Sequence, residues 1–595
     1  MLLPHRRIAS DLRLTLTLGR ALPSLAKVWP QRGYTVADLI EAQASRHGDR
    51  DALVSADEVI TYRELDDRSN QVARWAQDEG IGLGDVVALV MPNRPAYIVY
   101  WLGLAKIGAA TALINTNLVG RSLAHSVSVA DAGHVIVDAE LAQSWAGAQD
   151  LLDCDPQLWS VGGRVGGADD LDGAVAAQSG APLADDVREG LETTDRLFYI
   201  YTSGTTGLPK AANFSHLRFI GAAEGAKAIA GLKGHDRLYI TLPLYHSAGG
   251  VMAVGSALAA GATAVIAPRF SASQFWDDCV EHDITVFQYI GELCRYLLNS
   301  PAHPLEREHR IRVAIGNGLR ADVWEAFQDR FAIPRIVEFY SATEGNVTLL
   351  NVDNKVGAVG RLPPAMRRAI GVHLLKVDLE TEEVVRDGAG RCQEAGVGEV
   401  GEAVGRITRT VPFEGYSDQQ ATEKKILHDV FRPGDSYFRT GDLLRRDRDH
   451  YFYFVDRMGD TFRWKGENVA TGEVGEVIQT CPGVLEATVY GVAIPGADGR
   501  AGMASLAVDD TFDLDVLARR VTDQLPSYAR PLFLRLQEAL DITGTFKHRK
   551  VDLVADGFDP GSVADPLYRL DAAENRYVPL TKADHRRVTT GKVKL

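Results

Sequence analysis

Cysteine is scarce. Five residues in 595 (Cys154, Cys279, Cys294, Cys392 and Cys481) stand far apart, without the paired spacing of a zinc site or the density of a disulfide framework. That usage suits a reducing compartment. Positive charge is also in deficit: 64 Lys and Arg face 79 Asp and Glu, a formal net charge of −15. Such a surface argues against nucleic acid as the main partner. It still allows a small anion, which needs only a local positive site. No signal peptide is expected, because the N-terminal stretch has no long apolar run and no small-residue cleavage site. One uncharged run, residues 247–268, has the length of a bilayer span. It is rich in Gly and Ala and is interrupted by Gly249, Gly250, Gly255 and Gly261, so a buried helix followed by a strand is expected.

What is present is ordinary globular material, 46% hydrophobic and 24% charged. The length exceeds one core and predicts two or more domains. Residues 1–32 form a basic, apolar N-terminal segment, with Arg6, Arg7, Arg13, Arg20, Lys27 and Arg32 against the single acid Asp11. Such a segment suits an anionic membrane surface, but its leucines do not define one helical face, which favours simple packing on the body. From residue 51 to 138, and again from 238 to 339, short apolar runs alternate with helical periodicity. That alternation predicts parallel βαβ layers. Residues 398–449, rich in Gly, Glu and Tyr, predict a small β subdomain. After residue 457 the pattern restarts as α+β, with Gly459 as a candidate hinge. The expected fold is therefore α/β: a large N-terminal domain over 33–456 with parallel-rich layers and a small β subdomain, then a smaller, separable α+β domain over 457–595.

The chain is organised around Tyr199-Ile200-Tyr201-Thr202-Ser203-Gly204-Thr205-Thr206-Gly207-Leu208-Pro209-Lys210. A strand breaks into a loop of two glycines and four hydroxyl residues and ends at a lysine. Glycines let several N–H groups converge, the hydroxyls add donors, and Lys210 adds charge. Together they suit a polyphosphate. This is not a P-loop, since no Gly-Lys-Ser/Thr closes it. Taken alone, the loop reads equally well as an ordinary polar turn.

Other motifs follow in order. In Glu338-Phe339-Tyr340-Ser341-Ala342-Thr343-Glu344-Gly345, Tyr340 can stack on a base, Thr343 can donate to a phosphate, and Glu344 is a hard oxygen ligand suited to Mg²⁺. Gly316-Asn317-Gly318-Leu319 closes the preceding strand. Phe438-Arg439-Thr440-Gly441-Asp442 holds a Thr-Gly-Asp, which taken alone is a common turn. Asp456-Arg457, Lys465-Gly466 and Thr543-Gly544-Thr545-Phe546-Lys547 complete the series.

The loop from Thr202 to Lys210 resembles the signature of the adenylate-forming enzymes, and the later motifs are similar to that family's in order and spacing. Tyr289-Ile-Gly-Glu-Leu-Cys-Arg-Tyr-Leu-Leu-Asn299, the stretch from Asp456 to Ala470 and the stretch from Tyr490 to Ala504 resemble its fatty acid transport protein branch, the long- and very-long-chain acyl-CoA synthetases. Ser341 and the Gly316–Leu319 stretch depart from the commonest wording. The resemblance implies an AMP-forming ligase using ATP, Mg²⁺ and CoA on a fatty acid. It implies nucleotide binding by Thr202, Ser203, Gly204, Thr205, Thr206, Gly207, Lys210, Gly316, Tyr340, Thr343, Asp442 and Arg457. It implies metal binding by Glu344, an acyl and CoA path past His246, Gly318 and Gly466, and catalysis by Lys547, Glu344 and Thr202, with Lys550 the nearest competitor of Lys547.

A cytoplasmic protein is expected, with peripheral association on the inner face of a membrane left open, no nucleic-acid partner and an open oligomeric state. Two other readings remain at this level. One is a ligase that delivers the acyl group to a carrier-protein thiol or stops at the acyl-adenylate. The other is a membrane fatty acid uptake protein with little catalysis, against which the intact Lys210, Glu344, Asp442 and Lys547 argue.

Overall fold

The computed structural model describes residues 4–23, 33–202, 208–378, 381–409, 411–464, 467–495, 499–541, 550–571, 573–590 and 592. The chain divides into two compact units. The first comprises Met1–Val356 and Ile407–Ile426, and the second Gly357–Arg406 and Leu427–Leu595.

The first unit is built on two sheets. The first is seven-stranded, in the order Asp169–Asp170, Gln157–Val161, His134–Asp138, Val86–Val90, Ala110–Leu113, Arg196–Thr202 and Lys210–Ser215. All its pairings are parallel except the last, a hairpin in which Thr202 faces Lys210. Val86–Val90 reads Val-Val-Ala-Leu-Val and is buried throughout, as expected of a parallel strand covered on both faces. Helix Tyr62–Asp78 starts where a capping box predicts it, with Thr61 and Glu64 bonding each other's backbone N–H groups. Strand Gln157–Val161 was not expected. It is short, lies near the sheet edge and sits in a Gly- and Asp-rich stretch without strong periodicity.

In the second sheet, Ile336–Ser341, Val313–Asn317, Val286–Ile290, Arg237–Ile240, Thr263–Ile266 and Asp51–Val54 run parallel in that spatial order. Thr348–Asn351 and Val59–Thr61 flank them antiparallel. Parallel neighbours bring their carboxyl ends to one edge, where ligands of open α/β sheets gather. The uncharged run becomes a π-helical turn, Ser247–Ala253, then helix Val254–Ala260 and strand Thr263–Ile266, all largely buried. Among the described residues, no helix is long and apolar enough to cross a membrane.

The second unit holds an antiparallel β subdomain, in which Val372–Leu375, Val400–Arg406, Ser436–Arg446 and Tyr451–Arg457 pair in sequence. It also holds a five-stranded sheet in the order Val484–Ala493, Arg500–Val508, Phe533–Gln537, Leu567–Asp571 and Arg576–Pro579. Helices Thr471–Gln479 and Leu514–Gln524 turn Val474, Ile478, Leu517 and Val521 into one core with Met503 and Phe533. Asp513 caps the second helix through the N–H groups of Asp515 and Val516, which explains its sharp start.

Candidate active site

The hairpin that carries the signature loop places Thr202 and Lys210 opposite each other. Residues 203–207 lie outside the described residues, and with them Ser203, Gly204, Thr205, Thr206 and Gly207. The segment 413–417 runs along the outer hairpin strand: Asn213 N donates to Gly415 O at 3.0 Å and Ser417 N to Ala211 O at 2.9 Å. That pairing buries Tyr416 and points its phenol at the functional groups. Tyr416 Oη donates to Glu344 Oε1 at 2.9 Å, and the Thr202 side chain hydrogen-bonds the same phenol. Burial and the Glu344 charge push the Tyr416 pKa far up, so the phenol stays a donor. Lys210 Nζ lies 5.8 Å from the centroid of the Tyr416 ring, a cation–π distance, and has no acidic partner among the described residues.

The Glu344 loop is held from beneath by Arg218, which the sequence did not single out. Its guanidinium donates to the carbonyls of Thr343 (2.6 Å), Glu344 (3.1 Å) and Gly345 (2.8 Å). Burial pulls the Arg218 pKa down, while the carboxylates of Glu414 and Glu344 oppose that shift. Glu414 in turn accepts from Ser215 N at 2.9 Å and Ser215 Oγ at 2.5 Å, and Ser215 caps helix His216–Ala230. Thr343 Oγ1 meets Ser247 Oγ at 2.9 Å, which ties the loop to the residue after His246. His246 is half-buried, its ring 4.6 Å from that of Tyr245.

Gly316 and Tyr340 end neighbouring parallel strands, the first paired with Glu338. Glu338 is fully enclosed and accepts from Tyr289 Oη at 2.5 Å, Gly318 N at 2.5 Å and Leu319 N at 3.2 Å. Burial raises its pKa from the usual 4.5 to about 8, against the pull of those hydrogen bonds. The Gly316–Leu319 turn needs its glycines. A Cβ on Gly316 would lie 2.1 Å from Tyr289 O, and Gly318 has φ +78°.

In the second unit, Asp442 and Arg457 are register partners on adjacent strands, with Arg457 Nε 3.3 Å from Asp442 Oδ1. The Asp442 turn is braced by Glu402, which accepts from Arg439 Nη2 at 2.8 Å and Gly441 N at 3.2 Å. Lys550 Nζ donates to Thr471 Oγ1 at 2.8 Å and Asp460 Oδ2 at 3.2 Å. Asp456 accepts from Thr471 N at 2.6 Å beside them. Gly466 and Lys547 lie outside the described residues.

A family profile described as AMP-binding enzyme matches residues 40–402, more than half of the chain. The chain belongs to the AMP-binding enzymes. A second profile, the AMP-binding enzyme C-terminal domain, matches residues 473–547. Relatives include long-chain fatty acid transport protein 2 of Rattus norvegicus, 43% identical over 97% of this chain and 94% of that protein. Long-chain fatty acid transport protein 1 of Mus musculus is 44% identical over 94% of this chain and 88% of its own. Among solved structures, the anthranilate CoA ligase AuaEII with anthranoyl-AMP superposes with a TM-score of 0.76 over 88% of this chain and 97% of its own. At 20% identity that likeness concerns the fold.

AMP-binding enzymes use ATP, and the Tyr416 cluster offers what a triphosphate needs. Lys210 supplies a cation and Thr202 a hydroxyl. The described residues contain no cluster of three or more His, Cys, Asp or Glu side chains able to hold a metal alone. Glu344 presents Oε2, which takes no hydrogen bond from the described residues, as one hard oxygen. One carboxylate beside a phosphate site fits Mg²⁺, which keeps phosphate and water oxygens as its other ligands.

Proposed function

We propose that this AMP-binding enzyme is an ATP-dependent ligase that joins a long- or very-long-chain fatty acid to CoA. The observation that carries the reading is the meeting of Thr202, Lys210 and Glu344 around the phenol of Tyr416. The names of the relatives, long-chain fatty acid transport proteins, support a long acyl substrate.

A carboxylate is a poor electrophile, so it must first be activated. In the first half-reaction a carboxylate oxygen attacks the α-phosphorus of ATP, and the bond to the pyrophosphate oxygen breaks. Thr202, Lys210 and the loop 203–207 hold the departing phosphates. Glu344 would hold Mg²⁺, which would supply charge neutralisation at the triphosphate. Tyr340 stacks on the adenine beside Gly316, while Asp442 and Arg457 take the ribose. Lys547 stabilises charge building between carboxylate and α-phosphate. In the second half-reaction the CoA thiol gives its proton to solvent, its sulfur bonds the acyl carbonyl carbon, and AMP leaves with the pair of the broken C–O bond. Residues 457–595 turn about 457–460 between the two steps, which withdraws Lys547 and brings Gly466 to the thiol path. His246 and Gly318 border the acyl chain.

In this reading the protein is cytoplasmic and peripheral on the inner face of a membrane. Uptake of fatty acid then follows from its conversion to a thioester, which traps it. The test supplies purified protein with ATP, Mg²⁺ and fatty acids of graded length, with and without CoA, and measures AMP and acyl-CoA. CoA-dependent AMP release that peaks at long chains is expected. AMP release that needs a carrier-protein thiol instead, or none with any fatty acid, would refute the reading.

A further inference from the structure

Helix Pro4–Gly19 packs on the first unit through Leu14 and Thr17, which are 2% and 5% exposed. On another side it presents Ile8, Leu12 and Leu16, at 67%, 56% and 58% exposure. These residues are spaced four apart and so form one stripe along the helix. Next to the stripe lies a cavity of about 350 Å³, whose rim includes Leu16. Its charged lining is Arg13, Arg20, Arg335 and Asp353.

The lining thus holds three guanidinium groups and a single carboxylate. Arg13 Nη1 reaches Asp353 Oδ1 at 3.2 Å. Arg335 donates to the Ile229 carbonyl at 2.8 Å, and its pKa is pulled down by burial and by the charges of Arg312, Arg13 and Arg20. Arg312 is itself neutralised by Asp236 at 2.6 Å. Arg20 has no acidic partner among the described residues. In a chain of net charge −15, this cluster runs against the general trend. Arginine forks match phosphate oxygens, and an exposed apolar stripe beside a basic cavity matches the layered chemistry of a bilayer surface. A soluble polyanion would use the arginines and leave the stripe in water. Arg335 also precedes strand Ile336–Ser341, whose far end carries Tyr340, so docking here leaves the carboxyl edge of the sheet open.

We infer that the Arg13–Arg20–Arg335 cavity binds the phosphate group of an anionic phospholipid while Ile8, Leu12 and Leu16 enter the bilayer interface. This assigns a site and a lipid chemistry to the peripheral-membrane part of the proposed function and is independent of the ligase chemistry. The test is flotation of the full chain with phosphatidylcholine vesicles and with vesicles that also contain phosphatidylglycerol. The wild type is expected on the anionic vesicles and not on the neutral ones. Arg20→Glu, a change of two charges, is expected to lower partitioning roughly 30-fold. Leu12→Asp is expected to lower it as well, with melting temperature and ligase turnover in solution unchanged for both variants. Equal binding to both vesicle types, or binding indifferent to Arg20→Glu, would overturn the site while leaving membrane association intact. No binding to any vesicle would overturn both. Binding of inorganic phosphate without vesicle binding would overturn the lipid as occupant.

Discussion

Tyr416 owes its position to a segment about 200 residues away in sequence from the strand it covers, and its chemistry follows from that burial. Its phenol orients the Glu344 carboxylate through Oε1 and leaves Oε2 for other contacts. A hydrogen bond to a charged group contributes about 1.5–3 kcal/mol. Tyr416→Phe is therefore expected to lower kcat/KM for ATP by roughly ten- to a hundredfold, with the melting temperature little changed; wild-type kinetics would remove Tyr416 from the site. Glu338 offers a pH test. Its folded pKa of about 8 exceeds the usual 4.5, so between those values the folded chain keeps a proton that the unfolded chain releases. Its contribution to stability is full below 4.5 and is lost as the pH rises through 8. Denaturation midpoints of the wild type are expected to fall over that window, and Glu338→Gln to flatten the fall; an unchanged slope would contradict this protonation. Neither residue's role was legible in sequence. Arg218, Glu414 and Tyr416 belong to no local pattern, because their partners are supplied by tertiary contact.

Elements were more legible than partners. Helices Ala321–Phe331 and Leu514–Gln524 follow their apolar periodicity from end to end, and strand Val86–Val90 matches its buried run. The N-terminal helix was harder, since its leucines serve two sides, one packed and one exposed. The uncharged run was rightly expected as a buried helix and strand, yet its π-helical opening at Ser247–Ala253 left no periodic signal. That turn depends on backbone approach. A Cβ on Gly250 would lie 2.1 Å from the Leu244 carbonyl oxygen, and Gly250 N donates to His246 O at 2.8 Å. Gly250→Ala is expected to cost about 1–3 kcal/mol and to displace His246 and Ser247. The check pairs a denaturation curve with the KM for the fatty acid; both should worsen together.

At the scale of the whole molecule, the alternation of strands and helices announced the α/β architecture and the later α+β region. Ordered motifs announced the family. Lys547 is proposed as the adenylation lysine, while its neighbour Lys550 is engaged by Asp460 and Thr471. Lys547→Ala is expected to lower adenylation by at least a hundredfold, measured as pyrophosphate release. The same variant should convert supplied acyl-adenylate to thioester at near wild-type rate, and equal loss of both steps would count against a moving C-terminal domain. The chain passes between the two units three times, since Ile407–Ile426 returns to the first unit after Gly357–Arg406 has joined the second. Ser215 and Arg218 therefore wait for Glu414 during synthesis. At about 5–20 residues per second, the ribosome leaves that arginine without its distant carboxylate for roughly ten seconds or more. A nascent chain halted before residue 414 thus lacks the carboxylate that accepts from the cap of helix His216–Ala230, so that helix start is completed only by late synthesis.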